Sequence, residues 1–165
     1  MLVRIEKPED CAAIRFVNEQ AFGRRDEADL VDRLRDQEVV LASFVAEVGG
    51  RIAGHILFSR MWIETAAESL PAVALAPMAV IPNLQRQGIG GRLIGHGLGW
   101  LRGGIERVVI VVGHPEYYPR FGFSTAMTRF LGSPFNPKAF MALELRPNAL
   151  ENVRGRVRYP DAFGL

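Results

Sequence analysis

The chain has 165 residues, enough for one full hydrophobic core, and its 48% hydrophobic and 23% charged content is that of a globular protein. A formal net charge of +2 is too weak to argue for nucleic acid, while the sequence pI of about 9.0 admits an anionic ligand. Cys11 is the only cysteine, which excludes an intrachain disulfide; the N-terminus lacks the apolar core of a signal peptide, and no apolar run is long enough to span a bilayer. With no linker, repeat or low-complexity tract, these features predict one domain over residues 1–165, cytoplasmic, with neither a membrane nor a nucleic-acid partner.

In chain order, Leu2–Glu6 alternates as a short strand, and Lys7-Pro8-Glu9-Asp10 opens a helix with proline and acidic residues where a helix start favours them. Cys11, Ile14, Val17 and Ala21 mark its inner face. Phe22–Asp26 breaks it, and a second helix over Glu27–Arg35 turns Leu30, Val31 and Leu34 inward. The loop charges Arg24, Arg25, Asp26 and Glu27 read as solvated. Val39–Glu47 and Ile52–Glu64 form a hairpin closed by Gly49-Gly50, with His55 a structural histidine in an apolar strand. Ala66–Pro71 is a loop. Val73–Ile81 reads as a buried strand, yet it contains Pro77, which cannot donate to a ladder and so predicts an edge or a bulge.

Pro82 and Asn83 end that strand and Gln85-Arg86-Gln87-Gly88-Ile89-Gly90-Gly91 follows, opening a helix marked by Ile89, Leu93, Ile94, Leu98 and Leu101. A strand that feeds a glycine-rich turn and then a helix is a phosphate cradle. The first helical turn carries unpartnered N–H groups and partial positive charge, and residues without a Cβ let an anion come close. A P-loop is excluded because no lysine stands near these glycines. The dinucleotide fingerprint is excluded because Leu93 occupies the place of its third glycine. Gly91, Gly95 and Gly99 recur every fourth residue, which predicts a face packed closely on another backbone; His96 lies on a different, solvated face.

Arg107–Gly113 is a second buried β-branched strand, followed by His114-Pro115-Glu116-Tyr117-Tyr118-Pro119-Arg120-Phe121-Gly122-Phe123. Beyond it, Thr125–Phe130 and Ala139–Leu145 read as strands flanking a proline-stiffened loop, with Met141, Leu143 and Leu145 on one face. The tail alternates Val153, Val157 and Tyr159 with Arg154, Arg156 and Arg158, a half-buried extended segment with one basic face.

Two of these stretches carry a resemblance. Gln85, Gly88 and Gly90 meet the Gln/Arg-x-x-Gly-x-Gly/Ala pattern of the GNAT superfamily of acyl-CoA-dependent N-acetyltransferases, and Tyr118, Gly122 and Phe123 meet its Tyr-x-x-x-Gly-Phe. The order and the one-helix spacing agree, and the Tyr-Tyr and Arg-Phe-Gly-Phe sequences resemble a bacterial subgroup of predicted N-acetyltransferases along nearly the whole chain. The resemblance implies an α/β (α+β) fold: a central mixed, mostly antiparallel sheet of six to seven strands, splayed between the fourth and fifth strands and flanked by about four helices. It also resolves Pro77, because the fourth strand of that fold is bulged and parts from the fifth to admit a pantetheine arm.

The implied co-substrate is acetyl-CoA, with no metal. Met78, Ala79 and Val80 would meet the arm, and Gln85, Arg86, Gln87, Gly88, Ile89, Gly90, Gly91 and Arg92 the diphosphate. The implied reaction is direct attack, in a ternary complex, by a primary amine of a small molecule, peptide or protein. The loop at Arg24–Glu27 would lie on the acceptor side, and the tail arginines are open to an anionic acceptor or the CoA 3′-phosphate. Tyr118 is the candidate general acid and His114 the candidate base, with Glu116, Glu19, Glu64 and a water chain as alternatives. A longer acyl-CoA, a hydroxyl acceptor, a non-catalytic CoA- or nucleotide-sensing module and a homodimer stay open.

Overall fold

A computed structural model describes residues 1–165. Strands β1 (Leu2–Ile5), β2 (Val40–Val48), β3 (Arg51–Thr65), β4 (Ser69–Val80), β5 (Val108–Val112), β6 (Leu131–Gly132), β7 (Phe140–Glu144) and β8 (Gly155–Arg158) form one sheet. Helices α1 (Cys11–Phe22), α2 (Asp26–Asp36) and α3 (Ile89–Arg102) cover it. The order is β1-β2-β3-β4-β5-β7, antiparallel except at β4–β5 and at β6–β8. This is the mixed, mostly antiparallel α/β fold expected, with eight strands instead of six or seven and three α-helices instead of four. The additional strands are short and late in the chain: β8 runs beside the far half of β3 where β2 has ended, and β6 pairs with β8. No helix is long and apolar enough to cross a membrane.

Period-two alternation divides the core. Phe44, Ile56 and Phe58 face α3 and pack with Leu93, Ile94, Leu98 and Leu101, whereas Val45 and Leu57 face the opposite side with Ile14, Val31 and Leu34 of α1 and α2. Cys11, expected on the inner face of α1, is exposed. Gly49 and Gly50 both have positive φ, the turn that a tight hairpin between β2 and β3 demands.

Three expectations are corrected. The segment 66–71 is not all loop: β4 begins at Ser69, because Thr65 closes a tight turn by accepting from the Glu68 amide at 3.0 Å and donating to its carbonyl at 2.8 Å. Thr125–Phe130 is a short 3₁₀ turn rather than a strand. The Ser124 hydroxyl takes the Ala126 amide and the Thr128 hydroxyl binds the Thr125 and Phe140 carbonyls, so side chains capture backbone groups a ladder would need. The glycine stripe of α3 packs on nothing: Gly95 and Gly99 are exposed with no atom near a Cβ, and only Gly91 meets a side chain, that of Phe121. The glycine that permits close packing is Gly97, where a Cβ would collide with the Phe58 ring.

A buried polar network ties α1 and α2 to the sheet. The Asn18 amide donates to the Ile14 carbonyl at 3.0 Å and to His55 Nδ1 at 3.1 Å, so the ring proton sits on Nε2 and points to Ser43 Oγ at 2.9 Å. The Ser43 hydroxyl in turn donates to Glu6, which pairs with Arg35 of α2 at 2.9 Å. Burial pushes the His55 pKa down to about 3. The histidine is structural, as its apolar strand predicts.

Candidate functional site

β4 and β5 pair only at Val73–Val109 and Ala74–Ile110, then part, with β4 running on to Val80 and β5 to Val112. The cause is on β4, where Ala76 and Pro77 stand opposite the single residue Leu57 of β3. That bulge accommodates a residue with no N–H to offer and bends the strand away from its parallel neighbour. The gap opens into a cleft of about 1090 Å³ walled by β4, the mouth of α3, the segment after β5 and the elbow between α1 and α2.

Backbone polarity along β4 follows from the ladder. The Ile81 amide donates to Ala53 of β3 at 2.9 Å. In an antiparallel pair alternate residues face alternate sides, so Ala79 also spends its backbone on β3, and Met78 and Val80 turn theirs into the gap. The Val80 carbonyl already takes the Gln85 side-chain amide at 2.9 Å, which fastens the glycine loop to the end of β4.

The loop itself runs through left-handed backbone at Arg86 (φ 63°) and Gly88 (φ 85°), and Gly88 is the cap of α3. The Arg92 amide is the first to bond within the helix, to Gly88 at 3.1 Å, so the amides of Ile89, Gly90 and Gly91 remain for an anion. No atom lies within 4 Å of a Cβ built on Gly88, whereas one on Gly90 would stand 2.6 Å from the Tyr117 hydroxyl and 3.4 Å from the Met78 thioether. The cleft wall includes Met78, Ala79, Val80, Gln85, Arg86, Gly88, Ile89, Gly90 and Gly91. Gln87 and Arg92 are not part of it, and both side chains are exposed.

Tyr118 and His114 reach the same cleft from the β5 side. The Tyr118 ring packs where a side chain on Gly113 would be, edge-on to Tyr117 and Phe123, and burial pushes its hydroxyl well above the usual tyrosine range. Tyr117 is less buried and is covered by the Arg120 guanidinium at 4.6 Å; burial raises its pKa too. His114 is exposed, and its carbonyl accepts from the amides of Tyr117 and Tyr118.

The alternative bases lie elsewhere. Glu19 pairs with Arg15 and Glu64 with Arg158, and neither these nor Glu116 walls the cleft. The tail arginines are also absent from it: Arg154 stacks on Phe130, and Arg158 on Trp62, beside the end of β3 remote from the glycine loop. Conversely, Arg120 and Phe22 line the cleft with no signal in the sequence to mark them, Glu27 lines it from the loop expected on the acceptor side, and Tyr117 proves closer to the glycine loop than its neighbour's motif suggests. No group of three or more His, Cys, Asp or Glu side chains is placed to hold a metal.

The model of the acetyltransferase (GNAT) family matches residues 9–123. The chain is 44% identical over 116 residues to the uncharacterised N-acetyltransferase YjhQ of Escherichia coli K12, a match covering 69% of this chain but only 64% of YjhQ. It is 32% identical to the uncharacterised N-acetyltransferase YhbS of the same organism over 99% of this chain and 98% of YhbS. The crystal structure of YhbS in complex with CoA superposes with a TM-score of 0.90, over 99% of this chain and 92% of that one. A GNAT-family acetyltransferase from Brucella melitensis in complex with acetyl-CoA gives 0.82 at 35% identity, over 98% and 97%.

Proposed function

The chain belongs to the acetyltransferase (GNAT) family, and we propose that it moves an acetyl group from acetyl-CoA to a primary amine by direct attack in a ternary complex. The observation that carries this reading is the parting of β4 from β5 beside a helix mouth whose first amides are free. The residues fit the co-substrate: Gly88 leaves its side of the loop open, and the Met78 backbone and the Val80 N–H face the gap unspent. YhbS binds CoA and the Brucella acetyltransferase binds acetyl-CoA within chains of the same fold, which supports the assignment.

When bound, acetyl-CoA supplies an acyl group activated as a thioester. In this reading the amides of Ile89, Gly90 and Gly91 hold the diphosphate, with Gln85 fixing the loop and Arg86 at its rim. The Val80 N–H, aimed into the gap, stabilises charge on the acyl oxygen, a contribution of a few kcal/mol for one positioned donor. Tyr118 is protonated at neutral pH as any tyrosine is, and burial only raises its pKa further, so its Oη is a donor for the departing sulfur. A thiolate with an ordinary pKa near 8.5 already leaves fairly well, so this help accelerates the reaction without being indispensable. In this reading His114, on the cleft wall, takes the proton of the attacking amine, directly or through water.

Calorimetry with acetyl-CoA, CoA and ATP, joined to an acetyl-CoA consumption assay over amines, amino acids, aminoglycosides and peptides, tests the proposal. Selective binding of the two CoA species with amine-dependent thiol release is expected. Binding of ATP alone, or no binding, overturns it.

A further inference from the structure

Six ionisable side chains face the cleft, and Glu27 is the only carboxylate among Arg86, His114, Tyr117, Tyr118 and Arg120. It stands in the first turn of α2, whose other acids turn outward: the Asp26 side chain is 77% exposed and Asp29 pairs with Arg15. Glu27 alone turns in, with 13% of its side chain exposed, beside the apolar Phe22 and Leu30 of the same wall. Arg24, 61% exposed on the outer side, grips it: Nε lies 2.9 Å from Oε1 and 3.0 Å from Oε2, and Nη2 also reaches Oε1. A solvated pair one helical turn apart stabilises a fold very little. What this pair achieves is orientation, because a carboxylate offers about four acceptor sites and Arg24 leaves some free.

We propose that Glu27 is a specificity-determining residue that docks a cationic group of the acceptor. The favoured substrate class is then an amine that retains a second positive charge, such as a diamine or a cationic side chain on a peptide, over an acceptor carrying a carboxylate. The inference rests on the acetyl-transfer reading of the cleft. A half-buried carboxylate with acceptor sites left free by Arg24, beside Phe22 and Leu30, attracts an ammonium group and repels an anionic one.

The test is steady-state acetylation of a linear alkyl diamine, the matching monoamine and an α-amino acid by the wild type, Glu27→Gln and Glu27→Asp. Expected is a loss in kcat/KM for the diamine of about 10- to 100-fold in Glu27→Gln, the range for one charged hydrogen bond. The loss should enter mainly through KM and be smaller for the monoamine, and Glu27→Asp should retain the preference. In the wild type, added salt should raise KM for the diamine more steeply than for the monoamine, a readout independent of how the variants fold. Equal losses across acceptors, no loss, an absent salt difference, or no acetylation of any cationic amine by an enzyme that binds acetyl-CoA would overturn the inference. Failure of the wild type to bind acetyl-CoA would instead overturn the functional reading beneath it.

Discussion

The hydroxyl of Tyr117 lies 2.6 Å from the point where a Cβ on Gly90 would stand, so a single methyl group separates an open helix mouth from a blocked one. Gly90→Ala is therefore expected to weaken acetyl-CoA binding by about tenfold or more, which is about 1.4 kcal/mol, while the protein stays folded. Because the obstructing atom is a hydroxyl, Tyr117→Phe in the same chain should restore part of the affinity. Calorimetry on the two variants checks this; unchanged affinity in Gly90→Ala would remove the helix mouth from the binding site.

The two tyrosines divide by burial. Tyr118→Phe should lower turnover by up to the 10²–10⁴-fold of one acid–base group, with KM for acetyl-CoA nearly constant, and Tyr117→Phe should cost less turnover. Because burial raises the Tyr118 pKa, its proton is held beyond the ordinary tyrosine range, and the wild-type rate should hold up to about pH 10, where an ordinary tyrosine is half ionised, with no alkaline fall from this group. Stopped-flow or steady-state thiol release over that range is the measurement.

The cradle and the Tyr118 segment were legible because both are local: glycine spacing at a strand-to-helix turn and a tyrosine four residues before Gly122 are visible without knowing what packs where. Pro77 was legible for the same reason, since a missing N–H forces a bulge in any central strand. Glu27 was not, because its inward turn depends on the elbow between α1 and α2 and on Arg24, while its equally acidic neighbours face water. The loop position and the Arg24–Glu27 spacing were the only available hints. In α3 the four-residue spacing of Gly91, Gly95 and Gly99 is a weaker guide than the apolar row: Gly97 continues Ile89, Leu93 and Leu101 at every fourth position, so it lies on the buried face. Strand β6 escaped because a two-residue strand carries no period, whereas β8 falls within the alternating tail that reads as a half-buried extended segment.

The glycines of α3 give a sharp contrast in stability. Gly97→Ala forces a methyl group into Phe58 and should destabilise the fold by about 1–3 kcal/mol. Gly95→Ala and Gly99→Ala meet open space in a helix and should each stabilise it by up to about 1 kcal/mol. Urea unfolding of the three variants decides, and a loss of stability in all three would contradict the packing described here.

His55 makes stability depend on pH. Its folded pKa is about 3 and its reference value 6.5, so between them the unfolded chain binds the extra proton. The contribution is complete above pH 6.5 and is lost as pH falls, by at most about 1.4 kcal/mol per pH unit. His55→Gln should be less stable at pH 7 yet show a shallower decline from pH 6 to 4 in denaturant titrations; parallel slopes would exclude His55 as the source.

The most direct measurement is a crystal structure of the protein with acetyl-CoA. Diphosphate oxygens within hydrogen-bond reach of the Ile89, Gly90 and Gly91 amides, and an extended arm running between β4 and β5 against Met78 and Val80, are the predicted result. Acetyl-CoA bound elsewhere, with β4 and β5 closed on each other past Ala74, would contradict the account.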